Sequence, residues 1–174
     1  MVLATIQFRF KFDLHLAVLY FDEILGPQTM ALYPELDEKH KDFVEKILTK
    51  IMDLGALDVK SSWQFMYSDL KMTSQNLSFK IPHPNARGGS GEFMICLLLL
   101  PSYSHGISVL SSNWKTMYSF QDKIIDDLTM FLENKNLDQL ISNSLSIFEE
   151  IYLEYKEYFL SQLELLSPST YEFG

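Results

Sequence analysis

Apolar and polar positions along the chain follow patterns that predict five strands. Two apolar segments, Leu14–Phe21 and Gln28–Tyr33, are separated by a Gly-Pro turn, which predicts a hairpin. Ser61–Asp69 and Asn76–Ile81 alternate between apolar and more polar residues, which is typical of strands with one face in a core. Phe93–Leu100 is apolar almost throughout, so we expect a central strand that is buried on both faces.

Three segments have the periodicity of amphipathic helices. The first begins near Asp37 and ends near Gly55, with apolar residues spaced three and four apart between them, and Asp37 or a neighbour can cap it. The second covers residues 114–132 and the third residues 137–159, where the apolar stripe is broad. We expect the second helix to be capped by one of three adjacent residues, Ser111, Ser112 or Asn113.

The order of these elements, β-β-α-β-β-β-α-α, predicts an α/β (α+β) fold in which a five-stranded antiparallel sheet has helices on both faces. The 174 residues suit one domain, residues 1–174, with a core over about residues 13–163. Residues 82–91 are rich in proline and glycine, which predicts an exposed, flexible loop. Residues 167–174 follow the last helix and are predicted to be frayed.

Composition and charge narrow the range of functions. The chain is 47% hydrophobic and 14% aromatic, enough for a real core, and its formal net charge is −9. A negative charge of this size disfavours binding to nucleic acid or to an anionic membrane. No apolar stretch approaches the roughly 20 residues that a membrane span needs, so we expect no direct membrane insertion. Polar residues interrupt the N-terminal segment where a signal peptide would be apolar, and the only cysteine is Cys96, so we expect a cytoplasmic protein.

Motifs of catalysis are missing from the sequence. The four histidines have no pair at the spacing of a helical metal site, and one cysteine cannot build a thiolate site. Gly88–Gly91 contains a serine among glycines, but a flexible segment is not a nucleophile elbow, and no phosphate-binding loop is present. Asp22 and Glu23 lie in a turn, where an aspartate usually bonds the local backbone. We therefore expect no catalytic, cofactor or metal site, and no enzyme.

One segment resembles a known family. In Leu16–Pro34, an apolar strand is followed by a Phe-Asp-x-x-x-Gly-Pro turn and by a second strand that ends in Tyr-Pro. This resembles the opening hairpin of longin domains, as in the folliculin and nitrogen-permease-regulator families, and the element order resembles that fold over about Asp13–Leu163. The resemblance implies a profilin-like α/β/α sandwich. It also implies a non-enzymatic protein-interaction module, a scaffold or subunit in small-GTPase regulation or membrane trafficking.

The same resemblance implies which partners to expect. They are a longin or roadblock-type domain, a Ras-like small GTPase or a second copy of the chain, with membranes reached only through partners. The candidate interaction residues lie in the first turn and on the last helix. They are Phe21, Asp22, Gly26, Pro27, Tyr152, Tyr155, Tyr158 and Phe159.

Two alternatives stay open from the sequence. The tyrosines of the last helix could simply cover the sheet instead of meeting a partner, and both readings fit the pattern. The domain could also be a small-molecule sensor with a ligand pocket against the sheet. A cavity with convergent polar groups would favour the sensor, whereas a filled core with an exposed apolar surface would favour the interaction module.

Overall fold

The computed structural model of the chain describes most of its residues. The described residues are 9–55, 61–69, 71–83, 86–101, 104–112, 115, 119, 122–123, 125–126, 129–130, 137–166 and 170–173.

Five strands form an antiparallel sheet, as the sequence predicts. They are β1 Arg9–Asp22, β2 Gly26–Tyr33, β3 Ser61–Tyr67, β4 Met72–Pro82 and β5 Ser90–Leu100. Their order across the sheet is β2-β1-β5-β4-β3, so β5 is central and β2 and β3 are the edges. A β-bulge interrupts the pairing of β1 with β2 between Val18 and Leu19, where the register shifts by one residue.

The central strand is buried on both faces because helices cover each side of the sheet. Alternate side chains of β5 enter two different core clusters: Phe93, Ile95, Leu97 and Leu99 on one face, and Met94, Cys96 and Leu98 on the other. All seven are at most 3% exposed, which explains why the sequence shows an unbroken apolar run here. Burial also raises the pKa of the Cys96 thiol, which keeps it in the neutral form.

Three helices whose bounds lie in the described residues pack on the sheet. Helix α1, Glu38–Gly55, covers one face, and α2, Ser104–Ser112, and α3, Leu137–Leu166, cover the other. The carboxylate of Asp37 accepts a hydrogen bond from the amide of His40 at 3.0 Å, which confirms the expected cap of α1. No helix among the described residues is long and apolar enough to cross a membrane.

The end of the chain differs from the sequence-based prediction in two places. Ser111 and Ser112 lie inside α2 and donate to the carbonyls of Ile107 and Ser108 at 2.8 Å, so the expectation that either of them caps the next helix is wrong. The third candidate cap, Asn113, lies outside the described residues. Most of the predicted helix at 114–132 lies outside the described residues, and those described within it are helical. The tail is not wholly frayed, since β6, Thr170–Phe173, pairs in parallel with the start of β1.

The segment 82–91 is more regular than its composition predicts. Pro82, Ser90 and Gly91 belong to the β4–β5 ladder, and Arg87–Gly89 form a 3-10 turn. Within this segment the amide of His83 donates to the carbonyl of Gly89 at 2.9 Å. Gly88 and Gly89 have φ of 80° and 76°, a region that glycine enters without strain. The predicted loop is therefore a hairpin connection, with Pro84 and Asn85 outside the described residues.

His15 of β1 is a buried histidine. Its Nδ1 lies 2.6 Å from the carbonyl oxygen of Pro34, which can only accept, so Nδ1 carries the proton. Its Nε2 is buried without a hydrogen-bond partner among the described residues. Burial is the main cause that lowers the pKa of His15, against smaller opposing effects of the Pro34 carbonyl and of Asp13.

The lowered pKa of His15 predicts a pH-dependent stability. A histidine whose pKa is lower in the folded state contributes stability that is complete above the unfolded value of 6.5 and is lost as the pH falls below it. The free energy of unfolding, measured by urea denaturation, should fall more steeply for the wild type than for His15→Gln between about pH 7.5 and about pH 5.5. Equal slopes for the two proteins would contradict this assignment.

Two leucines on α3 test where the core lies. Leu163 is fully buried and Leu165 is 79% exposed, although they are two positions apart on one helix. We expect Leu163→Ala to lower the free energy of unfolding by about 2–5 kcal/mol, because it leaves a cavity. The matched control Leu165→Ala should change it by less than about 0.5 kcal/mol. If urea denaturation showed similar losses of unfolding free energy for the two variants, α3 would have to pack with a different face toward the sheet.

Candidate protein-interaction surface

The turn between β1 and β2 is fixed by its own aspartate. One carboxylate oxygen of Asp22 accepts hydrogen bonds from the amides of Ile24 and Leu25, each at 2.8 Å. These bonds, that of Leu25 first, lower the pKa of the Asp22 carboxyl because they stabilise its charged form. Gly26 completes the turn with a φ of 78°. The turn residue Asp22 thus has the local structural role that the sequence suggests.

This turn presents apolar side chains to solvent. Ile24 is 92% exposed, Leu25 is 71% exposed and Phe21, at the end of β1, is 38% exposed. Turns are usually polar, and the Asp22 hydrogen bonds use only the backbone of residues 24 and 25, so the turn does not need apolar side chains there. We call Phe21, Ile24 and Leu25 the apolar tip. Apolar side chains grouped in this way are typical of binding surfaces, whereas singly scattered ones are not.

A second hairpin connection lies beside the apolar tip. The carboxylate of Glu23 accepts a hydrogen bond from the backbone amide of Arg87, which joins the β1–β2 turn to the 3-10 turn between β4 and β5. Between the two connections lies a cavity of about 450 Å³ at the end of the sheet. We call this cavity the end cleft. Its lining combines apolar and charged side chains, among them Tyr20, Phe21, Ile24, Phe93, Glu23, Glu92, His83 and Arg87.

Phe93, one of the residues that line the end cleft, is closely packed. The ring of Phe93 stacks on that of Phe79, with centroids 5.8 Å apart and an interplanar angle of 15°. A Cβ at Gly91 would lie 3.0 Å from the Phe93 ring, so the absence of a side chain at this position lets the ring lie against the strand. At the rim, Lys80 and Glu92 form an ion pair at 3.3 Å. The cleft is therefore formed in part by the packed ends of β4 and β5.

The candidate residues on the last helix are mostly buried. Tyr152, Tyr155 and Phe159 are at most 4% exposed and belong to the core under α3, and only Tyr158 is partly exposed. The ring of Tyr152 makes an edge contact with Tyr33 at 5.1 Å, and burial raises its pKa to about 12. In this structure, Tyr152, Tyr155 and Phe159 cover the sheet. The expectation that these aromatic residues are available to a partner is therefore wrong for three of the four.

Both edges of the sheet also lie at the surface. Beside β2 a groove of about 390 Å³ runs along α1, lined in part by Thr29, Asp42 and Glu45. On the opposite edge, Met66 of β3 is 62% exposed, and Tyr67 makes an edge contact with Phe43 of α1 at 5.6 Å. An edge strand offers unpaired backbone groups that another strand can meet. Among the described residues, no three histidine, cysteine or acidic side chains lie together as metal ligands.

Sequence reasoning found part of this surface and missed part. It placed Phe21, Asp22, Gly26 and Pro27 at a candidate turn, and the structure brings them to one end of the sheet. It did not single out the apolar dipeptide Ile24-Leu25, although two large apolar residues inside a turn are the available signal. The contact of Glu23 with Arg87 joins positions 64 residues apart, for which no local pattern exists.

The comparisons with known proteins identify the fold. No protein-family model matches the chain, and no curated protein is detectably similar in sequence. Among solved structures, the K. lactis Lst4 longin domain is similar, with a TM-score of 0.52 and 11% sequence identity. The match covers 86% of this chain and 99% of that chain. At this identity the likeness establishes the fold alone, and the chain has a longin-like fold, as its opening hairpin suggests.

The role of Asp22 in the turn gives a test that separates hydrogen bonding from charge. Asp22→Asn retains a carbonyl oxygen that can accept from the amides of Ile24 and Leu25, whereas Asp22→Ala does not. We expect the melting temperature to fall for Asp22→Ala and to stay close to the wild-type value for Asp22→Asn at neutral pH. Equal losses in thermal denaturation would show that the charge of Asp22, and not its hydrogen bonds, fixes the turn.

Proposed function

Because the chain has the fold of a longin domain, we propose that it is a non-enzymatic protein-interaction module, a single longin-like domain. It serves as a scaffold or subunit in small-GTPase regulation or membrane trafficking. Its partners are a longin or roadblock-type domain, a second copy of itself or a Ras-like small GTPase. It works in the cytoplasm and reaches membranes through those partners.

The observation that carries this proposal is the apolar tip. Burying Ile24 and Leu25 against a partner would stabilise a complex by about 1.5–3 kcal/mol for each side chain that is fully covered. The turn backbone is already held by Asp22, so little conformational entropy is lost when a partner binds. A preformed apolar projection next to a cleft is the kind of feature that anchors a protein interface.

The β2 edge, which pairs with no further strand among the described residues, supports the part of the proposal that concerns assembly. Strand β2 has eight residues, long enough for pairing with an edge of another sheet. The β2 edge continues from the apolar tip through Gly26 and Pro27, so one partner can contact both. This continuity supports the inclusion of Gly26 and Pro27 among the interaction residues.

A small-molecule sensor is the second candidate function, and the end cleft favours it. Its volume of about 450 Å³ is within the range of roughly 300–1,000 Å³ typical of ligand pockets, and polar and apolar side chains converge there. The cleft lies at the end of the sheet and not against its face. A ligand screen by thermal stabilisation tests this candidate, because a ligand that binds the folded state raises the melting temperature.

Size-exclusion chromatography with light scattering tests the interaction module. The chain would be run alone, with longin and roadblock domains, and with a panel of Ras-like GTPases in both nucleotide states. We expect a complex or a dimer that the double variant Ile24→Ser/Leu25→Ser weakens by about 100-fold in Kd, which corresponds to roughly 3 kcal/mol. The control Met66→Ser, an exposed apolar residue on the far edge, should leave binding unchanged.

Two results would contradict this proposal. A strict monomer that binds no member of the panel would remove the support for an interaction module. A complex that tolerates Ile24→Ser/Leu25→Ser but is lost in Met66→Ser would place the interface on the β3 edge instead of the apolar tip.

A further inference from the structure

The end cleft and the apolar tip differ in the kind of partner surface that they can accept. The tip is a projection, which suits a pocket or a flat apolar patch on a folded partner. The cleft is a concave site whose volume suits a drug-sized group, which for a protein ligand means a few side chains and not a whole domain. We propose that the end cleft binds a short linear segment of a partner protein, in which a lysine or arginine lies next to a bulky apolar residue.

The charges around the cleft favour a basic segment. Its lining includes the carboxylates of Asp22, Glu23 and Glu92 against the guanidinium of Arg87, which leaves a formal charge of −2 with His83 neutral. Counting Lys80, which pairs with Glu92 at the rim, the sum is still negative. The chain as a whole carries −9, so its long-range field also attracts a basic segment and repels an acidic one.

Two of these carboxylates have capacity left for a ligand. Each bonds backbone amides through one oxygen: Asp22 those of Ile24 and Leu25, and Glu23 that of Arg87. A carboxylate has about four acceptor positions, so the remaining oxygen of each can accept from an incoming ammonium or guanidinium group. The amide hydrogen bonds keep Asp22 in place and ionised, which prepares it to accept a cation without reorganisation.

The apolar part of the segment has matching surface on the same rim. Ile24 is 92% exposed and Phe21 is 38% exposed, and both line the cleft beside the two carboxylates. An apolar side chain of the ligand can cover Ile24 while its basic neighbour reaches Asp22 or Glu23. A basic segment without apolar residues would leave Ile24 in water, and an apolar segment without a cation would bury carboxylates without a partner.

Fluorescence anisotropy with labelled nine-residue peptides tests this inference on the full chain. The probe is a peptide in which Leu and Lys alternate, compared with peptides that carry Glu in place of Lys or Ser in place of Leu. We expect the Leu/Lys peptide to bind at least about ten-fold more tightly than either comparison peptide. Its binding should weaken as salt rises from about 0.05 to about 0.5 M, because screening shortens the range of the charge interaction.

Matched variants locate the site. Asp22→Asn keeps the acceptor of the turn, so the double variant Asp22→Asn/Glu92→Gln removes charge with little change of shape. This double variant should raise the Kd of the Leu/Lys peptide by about ten-fold, or about three-fold for each carboxylate. The control Asp42→Asn/Glu45→Gln makes the same charge change on α1, where neither carboxylate lines the cleft, and should change Kd by less than about two-fold. Ile24→Ser should also weaken binding, and Met66→Ser should not.

The outcomes are separable from those of the proposed function, on which this inference rests. Equal or tighter binding of the Leu/Glu peptide, or equal losses in the two charge-changing variants, would overturn the basic-segment assignment. If no peptide binds while Ile24→Ser/Leu25→Ser still disrupts a complex with a folded partner, the segment inference fails and the interaction module stands. If the peptide binds as expected and no folded partner does, the inference stands and the GTPase-related role fails.

Discussion

The strand Ser90–Leu100 must be covered on both faces, and most of the architecture follows from this requirement. Its seven side chains from Phe93 to Leu99 are buried, and each large one contributes roughly 1.5–3 kcal/mol when removed from water. One layer of helices cannot cover both sides, so α1 packs on one face and α2 and α3 on the other. Three aromatic residues of α3, Tyr152, Tyr155 and Phe159, are used in this covering, which leaves them unavailable to a partner.

A sheet that is covered on both faces leaves its ends and edges for function. At one end of the sheet, the β1–β2 and β4–β5 connections lie side by side. This is because β1 pairs with β5, while β2 and β4 lie on the outer sides of this pair. The Glu23 carboxylate joins the two connections by accepting a hydrogen bond from the Arg87 amide, and Asp22 holds the first turn. The rigid sheet thereby positions an apolar tip and a charged cleft side by side. A partner can bind both without any rearrangement of the core.

Patterns set by burial could be predicted from the sequence, and contacts set by topology could not. The apolar run of β5 and the Asp37 cap of α1 are local signals, and both were correct. The helix Ser104–Ser112 was missed because its serines are weak helix formers and its stripe is short. Strand β6 has four residues and pairs with the distant start of β1, so its sequence alone carries little information.

The candidate site shows the same division. The turn residues Phe21, Asp22, Gly26 and Pro27 are recognisable from their local order, whereas the exposure of Ile24 depends on what packs nearby. By residue type alone, Tyr152 and Tyr155 fit a binding surface and a core equally well. Only the fold shows that they lie on the buried side of α3. The neighbourhood of Arg87 depends on a strand order that no segment specifies by itself.

Hydrogen–deuterium exchange on the chain, with and without a bound folded partner, would test the central claim most directly. The account predicts that slowed exchange is concentrated in the β1–β2 turn, at residues 21–27, and in the neighbouring segment 83–89. Protection confined to β3 and the exposed side of α1, with these two connections unchanged, would contradict it and place the interface at the opposite edge of the sheet.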